Sequence, residues 1–263
     1  PFDRWGDYRE MRRDWETVLA GLSPARGPWG EPLVRWYASG HMPLRRRWGM
    51  IEESPTAEVA HAGRRGLLPA PGARAVDFSS GVGRNALFLL KRGLHVRSIV
   101  YPDAAGLQIG FQKKWAERYR LAHPECGSID VVPGEFARFD LGDDPFDLVV
   151  CVNSLMHASP PAGREAIRSL QQQTVVGGVH IVTTSTIEHG CRRLDDVSDE
   201  RFITSGRADD DQLQSLYPTA AWEHFGSSPC RVTFNRGAFP FSRGLRRVWS
   251  VVIAKKKAAP PTT

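Results

Sequence analysis

The segment Asp77-Phe78-Ser79-Ser80-Gly81-Val82-Gly83-Arg84-Asn85-Ala86 holds the residue types and spacing best suited to chemistry. An acid closes an apolar run, small residues follow, and a helix-forming stretch begins at once. Small residues let a ligand approach the backbone closely, and free amides at a helix start face it with partial positive charge. That arrangement suits a nucleoside ligand. It also suits a tight strand-to-helix turn that binds nothing, and several kinds of nucleotide-binding fold use a glycine turn.

Groups able to move protons are few. Tyr101, Glu135, His157 and His180 fall within or just after strand-like runs, where open α/β sheets gather ligands at the carboxyl ends. His157 suits a general base, and suits a helix cap or a core position equally well. Cys126, Cys151, Cys191 and Cys230 stand far apart and form no C-x-x-C pair. No disulfide framework and no metal site is expected, and a reducing compartment is.

The elements that must position these groups follow a change of texture near Ala73. Before it, Trp5, Tyr8, Met11, Trp15 and Leu19 recur at helical spacing, a second helix is predicted through Leu33 to Ala38, and a third begins after Ser54-Pro55. After it, strands are predicted at Ala73 to Phe78, Val96 to Tyr101, Ile129 to Val132, Phe146 to Val152 and Val179 to Thr184. A turn and helix are predicted at Gly81 to Arg92, and helices at Gly106 to Ala122 and Pro161 to Gln173. Strands alternating with helices at this spacing predict a mostly parallel sheet covered on both faces. Trp222 to Thr233 and Arg247 to Ala254 read as two more strands, an antiparallel edge hairpin. The domain plan is an N-terminal helical lid or extension over residues 1–66, an α/β domain over 67–257 and a frayed Pro-rich tail over 258–263.

The glycine segment resembles motif I of class I S-adenosylmethionine-dependent methyltransferases, the small-molecule and tellurite-resistance-like branch in particular, where an acid and a glycine turn lead into "GRNA". Other segments resemble the same family in order. Lys91 to Val96 is similar to its "ERGHEV" approach to the second strand, and Gly134-Glu135-Phe136 falls where it has a Gly-Asp pair. Phe146 to Val150 is similar to its "FDLVV" strand, followed by Asn153 to His157. Val175 to Val179 resembles its "LKPGG" turn. The resemblance covers about residues 56–254 and implies a Rossmann-like fold with S-adenosylmethionine as cofactor. It further implies that Asp77 orients the turn and the methionine amino group, and that Ser79, Gly81 and Gly83 line the methionine and ribose. Glu135 and Phe136 would meet the adenine, Asn153 to Leu155 would wall the sulfonium, and Tyr101 and His157 are the candidates for catalysis and for contact with the ribose or acceptor. Core packing explains Phe136 and Leu155 as readily.

Two positions depart from the family pattern. Ser79 replaces the first glycine, which is tolerable where the backbone avoids positive φ. Val100 stands where the second strand normally ends in an acid that accepts both ribose hydroxyls, with Tyr101 beside it. Loss of that bidentate bond is expected to weaken cofactor binding by roughly 2–3 kcal/mol.

Composition bounds the rest. The chain has 263 residues, 41% hydrophobic and 24% charged, which suits one elaborated α/β domain with a substantial core. No apolar run is long enough to span a bilayer, and the N-terminus lacks the apolar core of a signal peptide. A cytoplasmic location is expected, or an organelle if a leader has been removed. The net charge of +6 includes the clusters Arg45 to Arg47, Arg64-Arg65, Arg246-Arg247 and Lys255 to Lys257, which suit either a solvated surface or an acidic partner such as RNA or a ribonucleoprotein. Three functions stay open: methyl transfer to a small molecule or RNA, a non-catalytic binding or assembly subunit, and non-methylating chemistry on the same scaffold. Oligomeric state is open too.

Overall fold

From residue 74 onward, apolar runs of strand length alternate with helices that bury one face, and the chain folds them in that order. The computed structural model describes residues 55–100, 105–152, 154–155, 158–187, 212–233 and 246–258. The two earlier N-terminal helices, Arg45 to Arg47, Tyr101, Asp103, Asn153 and His157 lie outside the described residues, as does the chain joining the last two strands.

The elements are the helix Ala57–Arg64 (α1), the strand Arg74–Phe78 (β1), the helix Arg84–Lys91 (α2) and the strand His95–Val100 (β2). The helix Ala105–Ala122 (α3), the strands Ser128–Pro133 (β3) and Phe146–Cys151 (β4), and the helix Pro160–Gln172 (α4) follow. The strand Thr174–Ile187 (β5), the short helix Gln212–Ser215 (α5) and the strands Trp222–Thr233 (β6) and Arg246–Lys256 (β7) complete the described chain. The sheet order is β3-β2-β1-β4-β5-β7-β6. Neighbours from β3 to β5 run parallel, while β7 pairs antiparallel with both β5 and β6. The expected antiparallel pair is therefore present, with β7 inserted between β5 and the edge strand β6.

Strand alternation sorts the core into two layers. One face carries Val76, Phe78, Val149, Cys151 and Val182 against Ala166, Ile167 and Leu170 of α4. The other carries Ala75, Leu148, Val150 and Ile181 against Val59 and Ala62 of α1 and Ala86 and Leu89 of α2. Each fully buried Leu on α2 contributes about 1.5–3 kcal/mol by leaving water, and Leu89 and Leu90 are both wholly buried. Because α1 buries Val59 and Ala62 in this layer, it is packed into the α/β body.

Two elements differ from the sequence expectation, the short helix α5, which the sequence pattern does not predict, and β5. β5 begins at Thr174, five residues before the predicted Val179, because Val175 to Gly178 bulge within the strand. Phe146 pairs with Thr174 and Leu148 with Val179, so the chain between is looped out. Gly177 makes this feasible at φ 84. Lys256 on β7 closes the corner by donating to the carbonyls of Gln171 at 2.8 Å and Thr174 at 2.6 Å, a cation at the carboxyl end of α4.

Candidate functional site

The chain leaves β1 outward to β2 and β3, then returns to β4 on the other side of β1. In open α/β sheets such a reversal marks where ligands collect, outside the carboxyl ends of the strands, here β1 and β4. The glycine turn leaves β1 at this end of the sheet.

Alternation along β1 sends Asp77 to the α2 side of the sheet. Its carboxylate, 2% exposed, accepts the Ala86 amide at 2.9 Å and so satisfies one of the unpaired N–H groups that open α2. Burial pushes this carboxyl up to about 7, and the Ala86 amide pulls the other way. An acid poised near neutrality at the foot of such a turn responds strongly to a cation arriving there.

Within the turn, Ser79, Gly81 and Gly83 have φ of 60°, 58° and 84°. The left-handed conformation at Ser79 is the one a serine adopts with strain. Gly83 donates to the Ser80 carbonyl at 2.9 Å, and the Ser80 amide donates to Ile99 on β2 at 2.9 Å. A Cβ at Gly81 would meet no described atom within 4 Å, so among the described residues the space beside it is open. At Gly83 the opposite holds, since a Cβ would come within 2.5 Å of Gln112 Cδ.

Gln112 on α3 and Ser98 on β2 are both wholly buried. Ser98 donates to Gln112 Oε1 at 2.6 Å, Gln112 Nε2 donates to Ser80 Oγ at 3.0 Å, and the Ser80 and Ser98 hydroxyl oxygens lie 2.6 Å apart. Gln112 Nε2 also donates to the Gly81 carbonyl at 2.8 Å. Sequence reading passed over this ring. Its signal was a polar Ser98 in the otherwise apolar end of β2 and a Gln amid Phe111 and Trp115 on α3, since a buried polar group requires a partner.

The start of α2 also anchors α1. Asn85 Oδ1 accepts the Thr56 amide at 2.9 Å, and Arg84 donates to the Pro55 carbonyl at 3.1 Å. The residues of "GRNA" thus bring the beginning of α1 beside the glycine turn.

The remaining sequence candidates divide. Val100 ends β2 and is wholly buried, so among the described residues no carboxylate stands at that strand end. Glu135 is exposed and bridges to Arg138 through the backbone. Phe136 packs edge-on against Phe78 with ring centroids 5.3 Å apart, and it lies with Leu155 in the core layer that contains α4. His180, considered for proton transfer, is corrected to a core histidine. It is wholly buried between Thr174 Oγ1 at 2.7 Å and Tyr217 OH at 2.9 Å, and faces Trp222 edge-on. Burial drives its imidazole down to about 3, assisted by Lys256, so it stays neutral. Among the described residues, no group of His, Cys, Asp and Glu could hold a metal ion.

A family model described as a methyltransferase domain matches residues 76–182, from the middle of β1 into β5. These residues carry the Rossmann-like fold of class I S-adenosylmethionine-dependent methyltransferases. The cofactor of such a domain is S-adenosylmethionine.

Solved structures share the fold at low identity. TehB from Haemophilus influenzae is 18% identical with a TM-score of 0.55, over 76% of this chain and 61% of TehB, so the chain spans less than two thirds of that relative. The [4+2]-cyclase SpnF is 15% identical with a TM-score of 0.57, over 95% of this chain and 96% of its own. CrArsM, an arsenic(III) S-adenosylmethionine methyltransferase from Chlamydomonas reinhardtii, is 16% identical with a TM-score of 0.52, over 80% and 76% of the two chains. No curated protein matches in sequence. No helix among the described residues is long and apolar enough to cross a membrane.

Proposed function

We propose that this methyltransferase domain binds S-adenosylmethionine across the Ser79–Gly83 turn and transfers its methyl group to a small-molecule acceptor. The observation that carries the reading is the open space beside Gly81, in a turn of positive φ above the buried Asp77 carboxylate. That arrangement fits the methionine end of the cofactor, a cationic amine beside a carboxylate. The cofactor supplies an activated methyl carbon, to which an acceptor lone pair bonds as the carbon–sulfur bond breaks and leaves a neutral thioether. The chain's part is to hold the two in line, which can account for much of the rate without a strong base. Asp77 would anchor the amine, and Tyr101 or His157 would take any proton the acceptor gives up.

The test is calorimetric titration with S-adenosylmethionine and S-adenosylhomocysteine, followed by transfer of a labelled methyl group to candidate acceptors. Binding with transfer supports the reading, and the absence of any binding overturns it. An RNA acceptor would show itself as binding that falls steeply with salt and flattens when Arg45, Arg46 and Arg47 are changed to Ala.

Val100 favours a second reading, a subunit that keeps the fold for binding or assembly. A strand end with no carboxylate gives the ribose hydroxyls no bidentate acceptor, so affinity should be modest. Since the fold also serves a [4+2]-cyclase, binding without transfer would send the search to non-methylating chemistry.

A further inference from the structure

We infer that Gln112 is a positioning residue of the cofactor site, setting the direction in which the Val82 amide points. The inference rests on the reading that the cofactor lies across the Ser79–Gly83 turn. The carboxamide of Gln112 is fully committed. Its oxygen accepts from Ser98, and its nitrogen donates to Ser80 Oγ and to the Gly81 carbonyl at 2.8 Å. The amide has no freedom to flip, because exchanging its ends would set oxygen against the carbonyl of Gly81.

The consequence lies one bond further on. A trans peptide is planar, so the carbonyl of Gly81 and the N–H of Val82 point in opposite directions. With the Gly81 carbonyl drawn inward to Gln112 on α3, the Val82 N–H is turned away from α3. It makes no hydrogen bond to another described residue. A backbone amide aimed out of a turn at a helix start is a donor for an anionic oxygen. In S-adenosylmethionine and S-adenosylhomocysteine the only such group is the amino-acid carboxylate. Gln112 therefore acts on the carboxylate end of the ligand without touching it, and Gly83 has no side chain because Gln112 occupies that space.

Two ligands separate positioning from mere support. S-adenosylhomocysteine carries the carboxylate, whereas 5′-methylthioadenosine keeps the nucleoside and sulfur and lacks the amino-acid portion. Gln112→Met is expected to weaken S-adenosylhomocysteine about tenfold and to leave 5′-methylthioadenosine within about twofold. A second variant, Ser80→Ala with Ser98→Ala and Gln112→Met, replaces the three side chains of the ring by apolar groups and leaves only the Gly81 carbonyl without its donor. It should recover thermal stability lost in the single variant while the selective loss of S-adenosylhomocysteine remains. Equal weakening of both ligands, or full recovery of affinity in the triple variant, would overturn the positioning role. Wild-type protein that binds neither ligand would overturn the underlying reading instead.

Discussion

Asp77 and Ala86 stand nine positions apart and are joined across the glycine turn by one hydrogen bond, carboxylate to amide, at 2.9 Å. The bond fixes where α2 begins and holds a buried acid at the foot of the glycine turn. The acid's folded pKa of about 7 lies above its ordinary 3.8, so its contribution to stability is present below 3.8 and is lost as pH rises through 7. Asp77→Asn keeps an acceptor oxygen and removes the charge. The variant is expected to be more stable than wild type at pH 8, by roughly 2–4 kcal/mol, with the advantage vanishing towards pH 4. It should also bind S-adenosylhomocysteine more weakly, having lost the charge opposite the amine. Denaturant melts across pH check the first effect and calorimetry the second; a variant less stable at pH 8 would refute the account.

His180 acts in the opposite sense. Its folded pKa of about 3 lies below the ordinary 6.5, so the stability it gives is present above 6.5 and is lost as pH falls towards 3. His180→Leu breaks the Thr174 and Tyr217 bonds and destabilises at every pH. The deficit should shrink as pH drops from 6.5 to 4, because the wild type's unfolded chain takes up a proton at His180 that its folded state excludes, and the variant has no such group. Thermal melts at pH 7.5, 6, 5 and 4 measure it, and a constant deficit would show that the histidine is not buried neutral.

The two glycines of the turn should fail differently. Gly83→Ala drives a Cβ into Gln112 at a φ that disfavours side chains, and is expected to lower stability by about 2–4 kcal/mol. At Gly81 a Cβ would meet no described atom within 4 Å, so Gly81→Val should keep the fold at the cost of backbone strain while cofactor binding disappears. Urea titration with parallel calorimetry distinguishes them, and unchanged affinity in Gly81→Val would move the ligand away from this turn.

Val100→Asp would supply the acid that the resemblance leads one to expect. Sequence reasoning alone makes this a gain in ribose binding. The wholly buried side chain adds a penalty, since an uncompensated carboxylate there should lower the stability of the free protein by about 3 kcal/mol or more. The expected signature is a lower melting temperature without ligand and a larger upward shift on adding S-adenosylhomocysteine than in wild type. A variant as stable as wild type would mean that Val100 faces open space.

The sequence by itself determined the order of strands and helices, the place of the glycine turn and the two departures from its family pattern. Periodicity and turn chemistry are local, and Asp77 through Ala86 carries its own instructions for a strand, a turn and a helix start. Even β6 could be read to its ends, since it is bounded by residues of a different character. Only the tertiary structure decided which polar groups share a partner. Ser98 and Gln112 lie 14 positions apart, and His180 and Tyr217 lie 37 apart, so their bonds depend on how α3 and the segment after α5 pack on the sheet. Tertiary packing likewise made His180 a core residue and lengthened β5 past the glycine pair. Burial is a property of the assembled layers, and it alone separates a histidine that can move a proton from one that holds a strand in place.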